Sequence, residues 1–567
     1  MPDDSSEYDY LIVGAGAAGA VVANRLSGAN SRRALLLEAG PDVPPGEEPA
    51  DIRSVFPLAA FNDDYMWPDT FVHWRTREDS ARSSLPQGRI VGGSSTVMGM
   101  WAMRGRPEDY DAWAAQGAKG WAWEDVLPYF RKLETDVDFD NAAHGQSGPV
   151  PIRRQALRDW SPFARAVQSA AARRGFVDIP DMNAEFGDGH CVLPVSRFED
   201  RRASSGICYL TNEVRRRKNL TLMTRVTVTR LMLDNGRVLG VEAIREDGSV
   251  VLLKARETIV TAGALRTPVL LMRSGIGPGT QLAKAGVAVQ LDREGVGKNL
   301  QNHAVLYAFA WLHPRYLEAR GDRPAGSSYL RWSSRIDGCP PGDLGMYIRS
   351  YLVWHELGRR LASLAPALAA PASRGTISLQ APDPHSPPVI EFNFLSDPRD
   401  LQRLMMGFRL AHALLLDPDV ARICGPSAFI LRNPAAVSRY NRVSRWNSVR
   451  AAALARVMDV FPGGAHRALA RIAKMVPTAS FVDDDARLAD FARASVSGTG
   501  HVCGTCRMGI SSDREAVVDS NGRVHGVVGL RIADASIMPR VPSGNTHIPT
   551  VMVAEKIADC VTREGGG

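Results

Sequence analysis

The 567-residue chain has no apolar run near the roughly 18 residues that a helical membrane span requires. Its seven cysteines are odd in number and thinly scattered, which argues against a disulfide framework and fits a reducing compartment. The opening MPDDSSEYDY lacks the basic and apolar regions of a secretory signal, so the expectation is a cytoplasmic protein. Net basic charge is confined to one segment: Leu431 to Met475 holds nine cations against Asp459 alone, which more than accounts for the net +7. No nucleic-acid partner is therefore expected. What remains is a globular composition, 45% hydrophobic and 23% charged, over a length that suits two domains.

The stretch YDYLIVGAGAAGAVVANRLS reads as an apolar strand (Tyr10 to Val13), a glycine turn and a helix. In such a unit Gly14 permits the tight turn, Gly16 lets backbone approach a pyrophosphate, and Gly19 lets helix and strand pack closely. The next strand, ALLLEAG, ends in Glu38, nineteen residues past Gly19, where a carboxylate can accept hydrogen bonds from both ribose hydroxyls of an adenosine. That carboxylate would repel a 2′-phosphate, which favours FAD or NAD over NADP. Two further glycine-rich turns are PQGRIVGGSSTVMGMWAMRG (Pro86 to Gly105), without metal-ligand spacing or a Walker lysine, and TAGALRTPVLLMRSGIGP (Thr261 to Pro278). Gly92, Gly93, Ser94 and Ser95 suit close backbone approach to a flat ligand.

Near the C-terminus, SGNTHIPTVMVAEKIAD runs from a polar loop into a helix with Pro549 in its first turn and Val551, Met552, Ile557, Ala558 and Val561 at helical spacing. Taken alone, it is a capped helix with a solvated His547. In HVCGTCRMG, His501 precedes a CxxC pair, Cys503 and Cys506. That spacing is open to zinc ligation or to a redox pair, though no fourth zinc ligand is evident.

These segments together resemble the glucose/methanol/choline (GMC) family of FAD-dependent oxidoreductases, over nearly the whole chain. The residues that carry the resemblance are VGAGAAG with Glu38, GRIVGGSS followed by RGRPEDYDAWAAQGAKGWAWEDVLPYFRKLE, TAGALRTPVLLMRSGIGP, GVGKNLQNH, HVCGTCRMG, and GLRIADASIMPRVPSGNTHIPTVMVAEKIAD. Within the family they look most like the bacterial choline dehydrogenase and hydroxymethylfurfural oxidase branch. The resemblance implies an α/β protein: a Rossmann-like FAD-binding domain of the GMC fold, with an α+β substrate domain carrying an antiparallel sheet. The FAD domain would comprise residues 1–155, 190–310 and 480–567, and the substrate domain 156–189 and 311–479, with the basic segment at 431–475.

By position, Gly14, Gly16, Ala18, Gly19, Glu38 and Ala39 would hold the ADP half of FAD, and the Val228 backbone would meet adenine. Gly92 to Met100, including Gly93, Val97, Met98 and Gly99, would line the isoalloxazine. Asp534 and Ala535 would meet the pyrophosphate and ribityl region, and Ile548, at the mouth of the last helix, is a further cofactor contact. Some members attach FAD through a His where this chain has Val97, so a non-covalent flavin is expected. Met98 replaces a usual Asn and removes a polar contact near the flavin.

The resemblance implies oxidation of a primary, aromatic or furanic alcohol to its aldehyde, with His501 as general base and a hydride passing to flavin. His547 stands where relatives carry His or Asn, as hydrogen-bond partner or alternate base. The family motif around the CxxC pair has no metal role, so no metal is expected. Oxygen or another acceptor would reoxidise the flavin. A cyanohydrin lyase of the same fold and a non-catalytic flavoprotein are the alternatives. Trp67, Trp101 and Trp332 are candidate pocket aromatics. In the basic segment, Trp446, Val449, Ala453 and Val457 form an apolar stripe beside Arg442, Arg445, Arg450 and Arg456. Two readings follow: a surface helix with that stripe on the substrate domain, or an amphipathic element docking on an anionic membrane or partner.

Overall fold

The apolar YDYLIV run forms the strand Tyr8–Val13, buried along nearly its whole length, as suits a parallel sheet covered on both faces. The computed structural model describes residues 8–28, 32–318, 321, 323–425, 428–432, 441–461, 471 and 473–565. The first strand lies between Ala34–Leu37 and Val250–Val260 and runs parallel to both. Leu220–Met223 and Leu530–Ile532 extend the parallel sheet on either side, so three distant stretches of chain build one doubly wound layer. Arg237–Arg245 and Val226–Asp234 continue it in antiparallel fashion. Val13 is in register with both Leu37 and Val260, so Gly14, Glu38 and Thr261 leave the sheet at one edge. In sheets of this kind, ligands bind at the carboxyl ends of the strands.

Helix Ala17–Leu26 covers one face, and Gly19 brings it close: a Cβ there would run into the carbonyl of Gly14. The C-terminal helix His547–Gly565 packs alongside, held by the fully buried Glu555. Its carboxylate receives Arg25 through two nitrogens at 2.9 and 2.6 Å, Lys132 at 3.0 Å and the Tyr209 hydroxyl at 2.8 Å. Burial alone would raise its pKa, but Arg25 and Lys132 prevail and hold it below the ordinary carboxylate range. Removing both cations would leave a fully buried carboxylate uncompensated.

The second large sheet is antiparallel through its centre, where Ala308–Trp311, Leu361–Leu368, Leu344–Arg349, Ser328–Trp332 and Gly189–Val192 lie side by side. Helix Pro398–Leu415 covers it, and Gly407 permits the approach, since a Cβ there would sit 2.8 Å from Pro366. Alternation along Leu344–Arg349 puts Tyr347 and Arg349 on one face of the strand and Met346 and Ile348 on the other.

Two sequence expectations change here. Trp332 packs edge-on to Phe176 at 6.5 Å and beside Gly407, against the helix layer instead of a pocket. The helix Arg445–Val460 buries Ala451, Ala455 and Met458, whereas Trp446 is 74% exposed, Val449 61% and Val457 50%. The apolar stripe read from the sequence is thus the outer face and does not pack on the substrate domain. Residues 433–440, 462–470 and 472 of the basic segment, among them Arg439 and Arg467, lie outside the described residues.

Candidate active site

A cavity of about 1100 Å³ opens between the parallel sheet and the antiparallel one. Small-ligand sites usually occupy roughly 300–1,000 Å³, so there is room for a dinucleotide and a substrate together. Its cofactor wall is backbone and glycine. Gly14 has φ of +99°, and a Cβ on it would stand 2.8 Å from the Thr261 carbonyl. Gly93 has φ of +55° and approaches Gly16 so closely that a Cβ would lie 3.0 Å from its Cα. The two turns therefore abut, and side chains there would close the cradle. Gly16, Ala18, Ala39, Met98, Gly99, Val228 and Ala535 line the same cavity.

Glu38 accepts the backbone N–H groups of Ala15 at 3.0 Å and Gly40 at 2.8 Å. Burial pushes its pKa up to about 7 against those two bonds, and a carboxylate's remaining lone pairs suit ribose hydroxyls. Asp534 is pinned by Gly263 N–H at 2.8 Å, the Thr267 hydroxyl at 2.6 Å and Ser536 N–H at 2.8 Å, with its pKa raised by burial. These residues fit FAD. Four of the expected cofactor residues form the packed wall behind the cavity and do not line it. Gly19 and Gly92 serve close backbone packing, Ile548 is core, and Val97 is buried in a side cluster with Ile52, Ala59, Met66 and Ile90.

At the substrate end, both His501 and His547 line the cavity. The loop before His501 is tied down: its backbone N–H donates to Asn302 Oδ1 at 2.9 Å, and the Thr499 hydroxyl lies 3.2 Å from the same oxygen. His501 Nδ1 is 2.9 Å from His303 Nδ1 and 2.8 Å from Thr499 Oγ1. His303 Nε2 is in turn 3.0 Å from the Pro542 carbonyl. A carbonyl can only accept, so His303 carries its hydrogen on Nε2 and offers a lone pair at Nδ1. His501 must then carry its hydrogen on Nδ1, which leaves Nε2 as a bare acceptor. Burial lowers the pKa of His303 to about 4, and burial, followed by the unfavourable neighbourhood of His303 and Arg349, takes His501 well below the ordinary histidine value.

His547 opens the C-terminal helix and is half-buried in the cavity wall. Its Nε2 lies 3.1 Å from Ser205 Oγ, and its Nδ1 has no partner. Burial, with a smaller push from Arg202, brings its pKa to about 4. Trp67 and Trp101 line the cavity with Tyr307, Tyr347, Phe56 and Phe61. Trp101 stacks on Tyr347 at 5.0 Å.

Cys503 and Cys506 are buried thiols, and burial pushes the first up to about 12 and the second well above the ordinary thiol value, which favours protonated side chains at both. Among the described residues the one grouping with metal-binding donors is Glu134, Asp136 and His144, remote in sequence from His501. There Arg104 pairs with Glu134 and Arg154 with Asp136, while His144 contacts Glu134 at 2.9 Å, Asp136 at 3.0 Å and Asp181 at 2.8 Å. Burial disfavours its charge, but Asp136, Asp181 and Glu134 prevail and raise its pKa to about 10. The cluster is an internal salt bridge network. Sequence reasoning missed the roles of His303, Asn302, Thr499, Ser205 and Arg349. Only the GVGKNLQNH motif, quoted without a role for its histidine, pointed to any of them.

Two sequence models described as GMC oxidoreductase match residues 8–305 and 371–554. The chain is similar to 5-(hydroxymethyl)furfural oxidase of Methylovorus sp. (strain MP688), 39% identical with 98% of each chain covered. It is 31% identical to an oxygen-dependent choline dehydrogenase of Sinorhizobium fredii, over 98% of this chain and 95% of that one. Among solved structures, pyridoxine 4-oxidase from Mesorbium loti superposes with a TM-score of 0.80 at 28% identity, covering 98% and 99% of the two chains.

Proposed function

The chain belongs to the GMC oxidoreductase family, FAD-dependent enzymes acting on alcohols, and from that premise we propose that it oxidises a primary aromatic or furanic alcohol to the aldehyde with His501 as base. The single observation that carries this reading is the contact chain from His501 Nδ1 to His303 Nδ1 and from His303 Nε2 to the Pro542 carbonyl, which supports a bare Nε2 on His501. Gly14, Gly16 and Glu38 would hold the ADP half of FAD, Val228 the adenine, and Met98, Gly99, Asp534 and Ala535 the rest. Bound FAD supplies the acceptor for the hydride leaving the carbinol carbon. His501 Nε2 takes the hydroxyl proton, and because its ring is neutral well below pH 6.5, the acid limb of the rate profile lies below that value. His547 is the hydrogen-bond partner or alternate base. The aromatic walls favour a planar ring, and Gly500 leaves space beside the base, since a Cβ there would meet no atom within 4 Å.

Stopped-flow flavin reduction with an alcohol panel tests the assignment. His501→Ala should lose more of the reductive rate than His547→Ala, and the reverse order would overturn it. A flavin left oxidised by every alcohol under anaerobic conditions would mark the lyase or the non-catalytic reading. Parallel peroxide and dye assays identify the acceptor.

We further propose that the basic helix Arg445–Val460 docks on an anionic bilayer surface. No described helix is long and apolar enough to cross a membrane. Trp446, Val449 and Val457 are exposed between Arg442, Arg445, Arg450 and Arg456, while the helix's single acid, Asp459, is already paired with Arg360. An exposed apolar stripe flanked by cations matches an anionic interface. The helix adjoins the cavity wall, where Val443 N–H donates to the carbonyl of cavity-lining Phe61 at 3.3 Å.

A further inference from the structure

Arg349 ends the strand Leu344–Arg349 and turns its side chain into the cavity beside Tyr347. Its guanidinium carbon lies 4.9 Å from the Trp101 ring centre and 5.8 Å from that of Tyr347. Nε is buried without a hydrogen-bond partner, and no carboxylate among the described residues forms an ion pair with the group. Two fully buried guanidiniums of this protein are neutralised by acids, Arg104 by Glu134 and Arg403 by Asp343 and Asp400, and the buried Arg331 is satisfied by three backbone carbonyls, whereas the half-buried Arg349 has neither kind of partner at Nε. The acids that line the cavity are engaged elsewhere. Asp69 faces Arg266 at 3.3 Å, Glu246 faces Arg225 at 2.8 Å, and Glu38 and Asp534 accept bonds at the cofactor end.

A cation held on an aromatic shelf in the substrate chamber, with no internal counter-charge, is matched by an anion that arrives with the substrate. We propose that Arg349 binds the carboxylate of the substrate, which is an aromatic or furanic ring bearing both a hydroxymethyl group and a carboxylate. This rests on the alcohol-oxidising reading above.

The proton inventory supports it. When His501 accepts the hydroxyl proton, an imidazolium forms within reach of the Arg349 charge, in a buried site. A neutral alcohol leaves the two cations facing each other. A carboxylate on the substrate neutralises one and eases formation of the other, so the same interaction that selects the substrate also favours proton transfer. A quaternary ammonium alcohol meets the opposite situation: the aromatic face it would seek is occupied by a guanidinium. Thirty-one per cent identity to a choline dehydrogenase therefore does not carry its substrate class to this chain.

The test pairs 4-(hydroxymethyl)benzoate with benzyl alcohol on the flavin-loaded wild type and on Arg349→Gln and Arg349→Lys. The wild type should favour the carboxylate in kcat/KM by at least tenfold. Arg349→Gln should cut that preference roughly 10- to 100-fold, mostly through KM, and Arg349→Lys should restore part of it, because charge is kept and the bidentate fork lost. Benzoate titrated by calorimetry gives a readout independent of turnover, binding to the wild type and at least tenfold more weakly to Arg349→Gln. Equal flavin content and melting temperature confirm that the variants fold. A wild type with no preference for the carboxylate, or benzoate binding unchanged in Arg349→Gln, overturns the proposal. Benzoate binding that depends on Arg349, with no alcohol oxidised, leaves the anion site standing and removes the oxidase reading instead.

Discussion

Replacing His303 with Leu should slow flavin reduction without emptying the cofactor site. In the wild type, His501 Nδ1–H has two neighbours, His303 Nδ1 at 2.9 Å and Thr499 Oγ1 at 2.8 Å. The Pro542 carbonyl forces His303 to accept, whereas Thr499, which donates to Asn302 Oδ1 at 3.2 Å, accepts from His501 only while it keeps that longer bond. Without His303, Thr499 can donate to Nδ1, and the proton of His501 moves to Nε2, where it blocks the base. Losing a buried hydrogen bond of this kind costs about 1–3 kcal/mol. At about 1.4 kcal/mol per tenfold, the reductive rate should fall between roughly 5- and 150-fold. His303→Gln, whose amide oxygen can still accept, should recover part of the loss, which a purely structural role would not produce. The assay is anaerobic stopped flow at saturating alcohol, with flavin content measured in parallel. A reductive rate for His303→Leu within twofold of wild type would refute the tautomer argument, as would a Gln variant no better than Leu.

Two further outcomes follow from the same structure. Acid or heat denaturation followed by filtration should release all the flavin, since Val97 cannot form a covalent link and lies outside the cavity; flavin retained on the protein would contradict this. The protein should co-float with phosphatidylglycerol vesicles at low salt and not with phosphatidylcholine vesicles. Trp446→Ser or Arg445→Gln/Arg450→Gln should weaken that binding about tenfold. No flotation, or a dimer by sedimentation that the Trp446 variant dissolves, would assign the exposed face to a second copy.

The parts legible in the sequence are those whose chemistry is local. Gly14 with its positive φ, Glu38 at a strand end and Pro549 in a first helical turn each follow from a few neighbouring residues. His501 and His547 were found because each sits in a contiguous motif. Arg349 was not, because IRSYL reads as any alternating strand; what makes it functional is the sheet that carries it over Trp101, far away in sequence. His303 had a motif but no role, since its meaning lies in a ring of partners from three loops. The basic helix shows the limit of periodicity. Ala451, Ala455 and Met458 satisfy a helical spacing as well as Trp446, Val449, Ala453 and Val457 do, and the pattern favours the larger side chains, whereas the structure buries the smaller set. Small residues let the helix sit close, a tertiary matter that hydrophobicity does not encode.

The Arg25–Glu555 clasp joins residues 530 apart, and the parallel sheet receives its last strand at Leu530–Ile532. At ribosomal speeds of about 5–20 residues per second, roughly half a minute to two minutes separate synthesis of the first half of the cradle from arrival of the second. During that interval the edge of Val250–Val260 that Leu530–Ile532 will cover stays unpaired, and the helix that will seat His547 does not yet exist. The cradle is therefore complete only after both its ends have been made, and its first half must keep that sheet edge open until then.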